Sequence, residues 1–373
     1  MDFKWVFNNI KEKWVKIQKW FNDVTNFLTT LDYIKNWKHI ALIWHDNIDG
    51  DSLGSTLALQ EWLKNKFPEK KVTAYTNKKP SSIFDFLNPE IQYWEGLILA
   101  EDIDLIITLD AANLERFWDL YTNNKEKFEK TSLINIDHHI SNTKFWTINI
   151  VNQVPATAQL VYEIISLFEN KLTSLVSKKA FNEKVATYLL MWILTDTKNF
   201  TIPTTTSKTL KIAAELIEKW ADKDNLIKNL FQSKSLEQLK LQALIIDRIK
   251  KIEENEIITY FSYIDTKDLE DLWLDPEDGW LREGLVNLLL EIKDANFVSL
   301  WRIKDEETSV SFRSKDEFDV NKLASKIWWG WHKNAAWAKV DEKLTQEDIE
   351  KKIKELIENT DKGKKNQDED IDL

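Results

Sequence analysis

The sequence predicts an α/β fold, in which a mostly parallel sheet carries helices on both faces and a second, smaller α/β domain follows. The first observation is that short apolar runs alternate with longer helix-like stretches from residue 39 onward. The second is that this alternation resumes after a charged helical stretch at 224–251. The third is the length of 373 residues, which is enough for two domains with separate cores.

The first domain is expected to begin after residues 1–36, which have the apolar spacing of one or two amphipathic helices. Its strands are expected where apolar runs are bounded by polar residues, and its helices where apolar residues recur at intervals of three and four. The expected strands are 39–44, 71–75, 104–109, 132–136 and 147–151. The expected helices are 52–66, 156–167, 183–194 and 207–220.

The second domain is expected to follow the connector and to contain elements at 257–263, 281–292, 297–303, 309–313 and 320–327. The final stretch, NTDKGKKNQDEDIDL, is polar and charged and is predicted to be disordered. The predicted divisions are N-terminal helices at 1–36, a first α/β domain at 37–222, a helical connector at 223–252, a second and smaller domain at 253–345, and a C-terminal helix with a charged disordered tail at 346–373.

Composition excludes several classes of protein. No apolar run approaches 18 residues, so no membrane span is expected. The chain has no cysteine, which excludes disulfides and thiolate metal sites, and a cytoplasmic location is expected. The net charge of -11 argues against a surface for long duplex nucleic acid, because such surfaces need clustered Lys and Arg. A local site for short anionic ligands is compatible with this charge.

Carboxylates and imidazoles follow the predicted strands or close a predicted helix. In open α/β sheets, ligands bind beyond the carboxyl ends of the strands. A single Asp or His there is commonly structural, for example as a helix N-cap, but the combination of clusters favours a metal site. Carboxylate oxygens with some imidazole suit Mn²⁺ or Mg²⁺, whereas thiolate-rich sites suit zinc. The candidate residues are His45, Asp49, Asp51, Asp110, Asp137, His138, His139 and Asp196.

The order of these motifs resembles the DHH phosphoesterase family, which is named after its Asp-His-His signature. The stretches HDNIDGDSLGS, TLDAANLERF, IDHHISNTKF and ILTDTKNF are similar to the four successive motifs of that family. The stretch VSFRSKDEFDVNKLASKIWWGWHKNAAWA is similar to the associated C-terminal domain of the family. The resemblance extends over about residues 38–340, and it implies the fold described above.

The resemblance also implies roles for individual residues. A first metal ion would be held by His45, Asp49 and Asp110, and a second by Asp51, Asp110, His138 and Asp196, with Asp110 bridging two Mn²⁺ or Mg²⁺ ions. Asp137 would orient a histidine that binds metal, and His139 would contact the scissile phosphate. The rest of the substrate would be bound by Arg313, Ser314, Gly330 and His332, with Arg116 as a further phosphate contact.

The implied function is hydrolysis of short oligoribonucleotides, of 3'-phosphoadenosine 5'-phosphate, or of both. The expected partners are short RNA or nucleotides, with neither a membrane nor a long duplex, and a homodimer is compatible with the sequence. One alternative is a soluble phosphodiesterase for cyclic di-AMP or linear dinucleotides. A second is an inactive relative that binds nucleotides.

Tryptophan and glycine have unusual frequencies. The chain has 7 Gly and 18 Trp, whereas average usage would give about 26 Gly. We therefore hypothesise that many Trp letters are UGA codons that the source organism decodes as Gly. The resemblance places Trp at family glycine positions 146, 192, 328, 329, 331 and 337, and local context adds Trp37 in a turn and Trp220 after a helix. Apolar helix faces indicate true tryptophans at Trp5, Trp14, Trp20 and Trp62.

Overall fold

The computed structural model of the protein describes residues 29–30, 32–45, 50–94, 96–139, 141–152, 154–172, 180–201, 205–276, 284–315, 318–327 and 333–368. The chain divides into two compact units, Met1–Gln232 and Ser233–Leu373. The boundary lies within the stretch 223–252 that we expected to act as a connector.

The first unit contains a six-stranded sheet in which every described strand pair is parallel. The strand order is β3-β2-β1-β4-β5-β6. The strands that follow β1 in the sequence, β2 and β3, are therefore added on one side of it. The strands that follow β4, which are β5 and β6, are added on the opposite side. The strands are β1 His39–Trp44, β2 Lys71–Thr76, β3 Ile91–Tyr93, β4 Leu105–Leu109, β5 Ser132–Asp137 and β6 Ile148–Val151.

In the first unit, residues 29–30 and 32–36 are helical, and seven further α-helices are described, together with 3₁₀ turns at Ser82–Leu87 and Leu114–Phe117. Several begin with side-chain caps, as helix N-termini require. Asn182 accepts from the Val185 amide, and Thr206 forms a reciprocal capping box with Thr209. The helices are α1 Gly50–Lys66, α2 Trp118–Asn123, α3 Lys125–Lys130, α4 Thr157–Leu172, α5 Glu183–Asp196, α6 Ser207–Glu218 and α7 Lys223–Phe231.

Apolar side chains cover both faces of this sheet. Because successive side chains of a strand point to opposite faces, Ile40 and Leu42 of β1 join one cluster while Ala41 and Ile43 join another. Burial on both faces explains why the strand sequences are continuous apolar runs rather than alternating ones. The predicted fold class is confirmed for this unit.

The second unit is built around a mixed five-stranded sheet with the order β11-β10-β9-β8-β7. Only β8 and β9 pair in parallel, and the other described pairs are antiparallel. Its strands are β7 Lys250–Glu254, β8 Ile257–Asp265, β9 Phe297–Ile303, β10 Thr308–Ser314 and β11 Ala335–Val340. Its helices are α8 Leu236–Asp247, α9 Thr266–Asp271, α10 Val286–Leu290, α11 Val320–Ile327 and α12 Gln346–Asp368.

Some expected elements differ from the observed ones. The charged stretch 224–251 is not one helix, because α7 ends at Phe231 and α8 begins at Leu236. The strands β3, β7 and β11 were not expected. The tail was expected to be disordered, but the backbone of α12 is helical through Asp368. Among the described helices, none is both long and apolar enough to cross a bilayer.

Candidate metal centre

The site lies at the point where the order of the sheet reverses. β1 and β4 are neighbours, and their next chain-sequential strands lie on opposite sides of the pair. In open α/β sheets, ligands bind in the crevice outside the carboxyl ends of such strands. His45 follows β1 directly and Asp110 follows β4 directly. The fold therefore places an imidazole and a carboxylate on either side of this crevice.

Asp110 is the centre of the arrangement. Its side chain is 2% exposed, and its backbone φ of 56° lies in the left-handed region, which Asp tolerates better than most residues. Its Oδ2 lies 3.3 Å from His45 Nε2. Its Oδ1 lies 3.5 Å from His138 Nε2 and 3.6 Å from His139 Nδ1. One buried carboxylate thus faces three imidazoles.

The electrostatics of Asp110 follow from this geometry. Burial by itself would raise the pKa of this carboxyl, because a low-dielectric environment disfavours charge. The hydrogen bond from His45 and the charges of His138 and His139 outweigh burial and hold the pKa of Asp110 well below its usual range. Asp110 is therefore an anionic, acceptor-only group at neutral pH, as a metal ligand must be.

His138 is oriented by a contact on the far side of its ring. Its Nδ1 lies 3.1 Å from the carbonyl oxygen of Val154, a distance at which Nδ1–H donates. That bond leaves the lone pair on Nε2, the usual way in which a protein sets the tautomer of a metal-binding histidine. His138 Nε2 lies 3.8 Å from Asp51 Oδ2, in addition to its approach to Asp110.

Asp51 lies in the first turn of α1 and is almost fully buried. Its two oxygens accept from the backbone amides that open α4, with Thr157 N 2.7 Å from Oδ2 and Ala158 N 3.0 Å from Oδ1. Each carboxylate oxygen has a second acceptor position. Asp51 is therefore anchored without losing its capacity to bind a cation.

Asp196 is the last residue of α5, and its carboxylate joins Asp51 and His138 in a group whose ligand atoms lie within 4.8 Å of one another. The ends of α1 and α5 come close because Gly50 faces Thr195. A Cβ at Gly50 would lie 2.3 Å from Thr195 Oγ1, which no side chain can occupy without a shift. Glycine at this position is therefore what brings Asp51 near Asp196.

His139 is held by a different carboxylate. Its Nδ1 lies 2.6 Å from Asp137 Oδ1, and Asp137 is fully buried and accepts from Asn142 Nδ2 at 2.6 Å. Burial would lower the pKa of His139, but the hydrogen bond to Asp137 and the charge of Asp110 raise it. One ring nitrogen of His139 also lies within 4.8 Å of ligand atoms of Asp110 and His138. Because Nδ1 donates to Asp137, a ligand of His139 would be contacted through Nε2.

The structure brings together most of the residues expected in the first domain. Arg116 lies at a 3₁₀ turn after β4. Its positive charge opposes part of the rise in the pKa of His139. Asp49, Gly330 and His332 lie outside the described residues, as do Trp328, Trp329 and Trp331. In the second unit, Arg313 is a half-buried residue of β10, and the buried hydroxyl of Ser314 donates to the Phe318 carbonyl oxygen at 2.6 Å.

Three residues that contact the candidate site residues were not found from the sequence. Thr157 contacts both Asp51 and Asp110, Val154 contacts His138, and Asn142 contacts Asp137. Asn142 lies three residues after His139 and could have been noticed by its proximity. The contact of Val154 uses a backbone carbonyl, for which a sequence carries no signal. Thr157 begins a helix, where Thr is ordinary.

The residues fit a divalent cation by their chemistry and spacing. Mg²⁺ binds ligands at about 2.0–2.1 Å, so two ligands of one ion can be at most about 4.2 Å apart. The distances from Asp110 to His45 and His138, and from His138 to Asp51, are 3.3, 3.5 and 3.8 Å. The donors are carboxylate oxygens and imidazole nitrogens, which suit Mn²⁺ and Mg²⁺.

Comparison with known proteins identifies the two domains and several relatives. Residues 39–193 match the DHH family, N-terminal domain, and residues 282–359 match the DHHA1 domain. The bifunctional oligoribonuclease and PAP phosphatase NrnA of Bacillus subtilis is 29% identical over 304 residues, covering 81% of this chain and 89% of the relative. A probable bifunctional oligoribonuclease and PAP phosphatase NrnA of Streptococcus mutans is 28% identical, covering 90% of this chain and all of the relative.

A solved structure shares the fold. The exopolyphosphatase-related protein from Bacteroides fragilis superposes with a TM-score of 0.79 at 22% sequence identity, covering 90% of this chain and 96% of that one. The two matched domains together show that the chain belongs to the DHH family and carries a DHHA1 domain.

Proposed function

We propose that the chain is a metal-dependent phosphoesterase that hydrolyses short oligoribonucleotides and 3'-phosphoadenosine 5'-phosphate by a two-metal mechanism. The observation that carries the proposal is the convergence of His45 and His138 on the buried carboxylate of Asp110, with Asp51 Oδ2 3.8 Å from His138 Nε2. The names of the similar proteins from B. subtilis and S. mutans support this substrate class.

Two Mn²⁺ or Mg²⁺ ions would be held by residues already described. His45 and Asp110, with Asp49, would hold one ion, and Asp51, His138 and Asp196, with Asp110 in common, would hold the other. A pair of divalent ions supplies a water of lowered pKa and neutralises charge on the phosphoryl oxygens. The protein contributes the carboxylate of Asp110, whose pKa is held low, and the imidazole of His138, which the Val154 carbonyl orients.

His139 is proposed to contact the scissile phosphate. Because its Nδ1 is engaged by Asp137, a phosphoryl oxygen would be contacted through Nε2. The charge of Arg116 acts on the same imidazole, which supports a role in attracting the anionic substrate. In the second unit, Arg313, Ser314, Gly330 and His332 are proposed to bind the remainder of the substrate.

The function is tested by an activity panel with the full chain. The substrates are a linear RNA dinucleotide, a single-stranded 24-nucleotide RNA, a duplex, 3'-phosphoadenosine 5'-phosphate and cyclic di-AMP, each with Mn²⁺, Mg²⁺ or EDTA. We expect metal-dependent hydrolysis of the dinucleotide and of phosphoadenosine phosphate, and little turnover of the duplex. Cleavage of cyclic di-AMP alone would support the alternative phosphodiesterase. Nucleotide binding without any turnover would indicate an inactive relative.

Substitution of Asp137 tests the proposed role of His139. In Asp137→Asn, the amide no longer fixes the Nδ1–H tautomer, so we expect kcat to fall about 10–100-fold, the range for residues that orient a metal-site side chain. Metal affinity should change little, because Asp137 contacts His139 and not the ligands. Asp119→Asn, at an exposed position of α2, is the control. Unchanged kcat in Asp137→Asn would exclude the role.

A further inference from the structure

The end of the connection between β6 and α4, together with the first two residues of α4, contacts three of the proposed metal ligands. The Val154 carbonyl lies 3.1 Å from His138 Nδ1. The amides of Thr157 and Ala158 donate to Asp51 at 2.7 and 3.0 Å. The hydroxyl of Thr157 donates to Asp110 Oδ1 at 2.9 Å. Thr157 is thus the one described residue that hydrogen-bonds to both of these carboxylates.

The hydroxyl of Thr157 and the first amides of α4 all donate to residues outside the helix. Side-chain acceptors at a helix start belong to the N-cap, the residue before the first helical one, whereas Thr157 is already the first residue of α4. Here those amides donate to Asp51, which is 106 positions away in the sequence, and the hydroxyl donates to Asp110. Thr157 is fully buried, so water does not substitute for either bond.

These two bonds address a physical problem of the site. Asp51 and Asp110 are both nearly fully buried, and two buried carboxylates repel each other before any cation is bound. A donor shared by both lowers the cost of keeping them ionised, and the positive end of the α4 dipole adds to this at Asp51. Each acceptor oxygen keeps a second lone pair that can face a cation.

We propose that Thr157 is a positioning residue that holds Asp51 and Asp110 in the orientation in which both bind divalent metal. The inference rests on the proposed function only in that it takes these carboxylates as metal ligands. It requires no particular substrate. Thr157 does not touch the reacting atoms, so its substitution is expected to lower metal affinity. Turnover should fall only because fewer molecules then hold metal.

The experiment compares Thr157→Val, which removes the hydroxyl at nearly constant shape, with Thr157→Ser, which keeps it. Thr56→Val is the matched control, because Thr56 is also a fully buried helical Thr, and its hydroxyl donates only to the Ser52 carbonyl at 2.7 Å. Mn²⁺ binding to the metal-stripped full chain is measured by titration calorimetry. Melting temperatures of the metal-free proteins report on folding.

We expect Thr157→Val to bind Mn²⁺ about 10–100-fold more weakly, as for other residues that support metal ligands. Thr157→Ser and Thr56→Val should bind as the unsubstituted chain does. Equal affinity in Thr157→Val would overturn the inference, and so would the absence of Mn²⁺ binding by the unsubstituted chain. If Thr157→Val does not fold, Thr157→Ala replaces it, and failure of both would show a structural role instead. A chain that binds Mn²⁺ but cleaves no substrate would overturn the proposed function alone.

Discussion

Replacement of Asp110 by alanine should abolish hydrolysis and weaken metal binding more than any other single substitution at the site. The carboxylate faces His45 at 3.3 Å and His138 at 3.5 Å, and it accepts from Thr157 at 2.9 Å. Its loss would remove a ligand proposed to be shared by both ions and would leave several buried polar groups without their acceptor. The loss of activity should exceed about 100-fold, the upper range for residues that only support a ligand.

A second substitution at position 110 distinguishes the loss of the carboxylate from the effect of backbone strain. Because Asp110 has a φ of 56°, Ala adds steric strain, whereas Asn adopts left-handed conformations readily and keeps the shape of the side chain. Asp110→Asn should therefore fold and remain inactive. Asp102→Ala is the control, since Asp102 is exposed and pairs with His39 and Lys71. Activity retained by Asp110→Asn would remove the two-metal proposal.

This site could be predicted from the sequence because its residues follow the carboxyl ends of predicted strands. Their positions depend on the topology of the sheet and not on atomic detail. Apolar runs defined β1, β4 and β5, and parallel strands bring their carboxyl ends to one edge of a sheet. His45, Asp110 and His138 are each the first or second residue after one of these strands. Their proximity therefore followed from element order alone, and the resemblance to the DHH family added the roles.

Other parts of the fold could not be predicted, for identifiable reasons. β7 has the sequence KKIEE, in which charge conceals the strand, and β3 has only three residues. The contacts of Thr157 and Val154 depend on backbone groups and on the approach of α4 to α1, which no local pattern encodes. The backbone of the charged tail is helical, although its polar and charged composition predicted disorder.

The glycine hypothesis predicts particular backbone conformations, and Trp220 has one of them. It follows α6 with a φ of 70° and an indole that is 80% exposed. Ala221 N donates to Leu216 O and Trp220 N to Ile217 O, both at 3.0 Å, which is the hydrogen-bond pattern of a Schellman motif. Glycine is strongly preferred there. The expected position after the helix is confirmed.

Trp273 repeats the same pattern after α9, although the sequence did not single it out. Its φ is 56°, its indole is 93% exposed, and Leu274 N donates to Leu269 O at 2.9 Å. Trp37 and Trp337 differ, because neither is among the described residues with a left-handed φ. Trp337 lies in β11, where a strand accommodates a side chain, so the conformational expectation is wrong at that position.

Buried tryptophans differ in whether the indole N–H donates a hydrogen bond. Trp62 is fully buried and its Nε1 donates to Glu169 Oε1 at 3.1 Å, as expected of a true core tryptophan. Trp44 and Trp192 are equally buried, yet within the described residues their Nε1 atoms have no acceptor. Buried donors are rarely unpaired in native proteins. These two tryptophans therefore lack the paired N–H that is usual in a native core, and the resemblance to the DHH family implies glycine at 192.

Trp220→Gly and Trp273→Gly should each increase the free energy of unfolding by about 0.5–1 kcal/mol, because relief of left-handed strain exceeds the extra entropy of glycine in the unfolded chain. The exposed indoles contribute little burial that could be lost. Trp62→Gly is the opposing control and should destabilise the chain by about 3–5 kcal/mol, as for other large-to-small core substitutions. Urea unfolding of the three variants measures these differences, and the gene should carry UGA at 220 and 273 and UGG at 62. UGG codons at 220 and 273, or a loss of stability in both of those variants, would refute the recoding hypothesis at these positions.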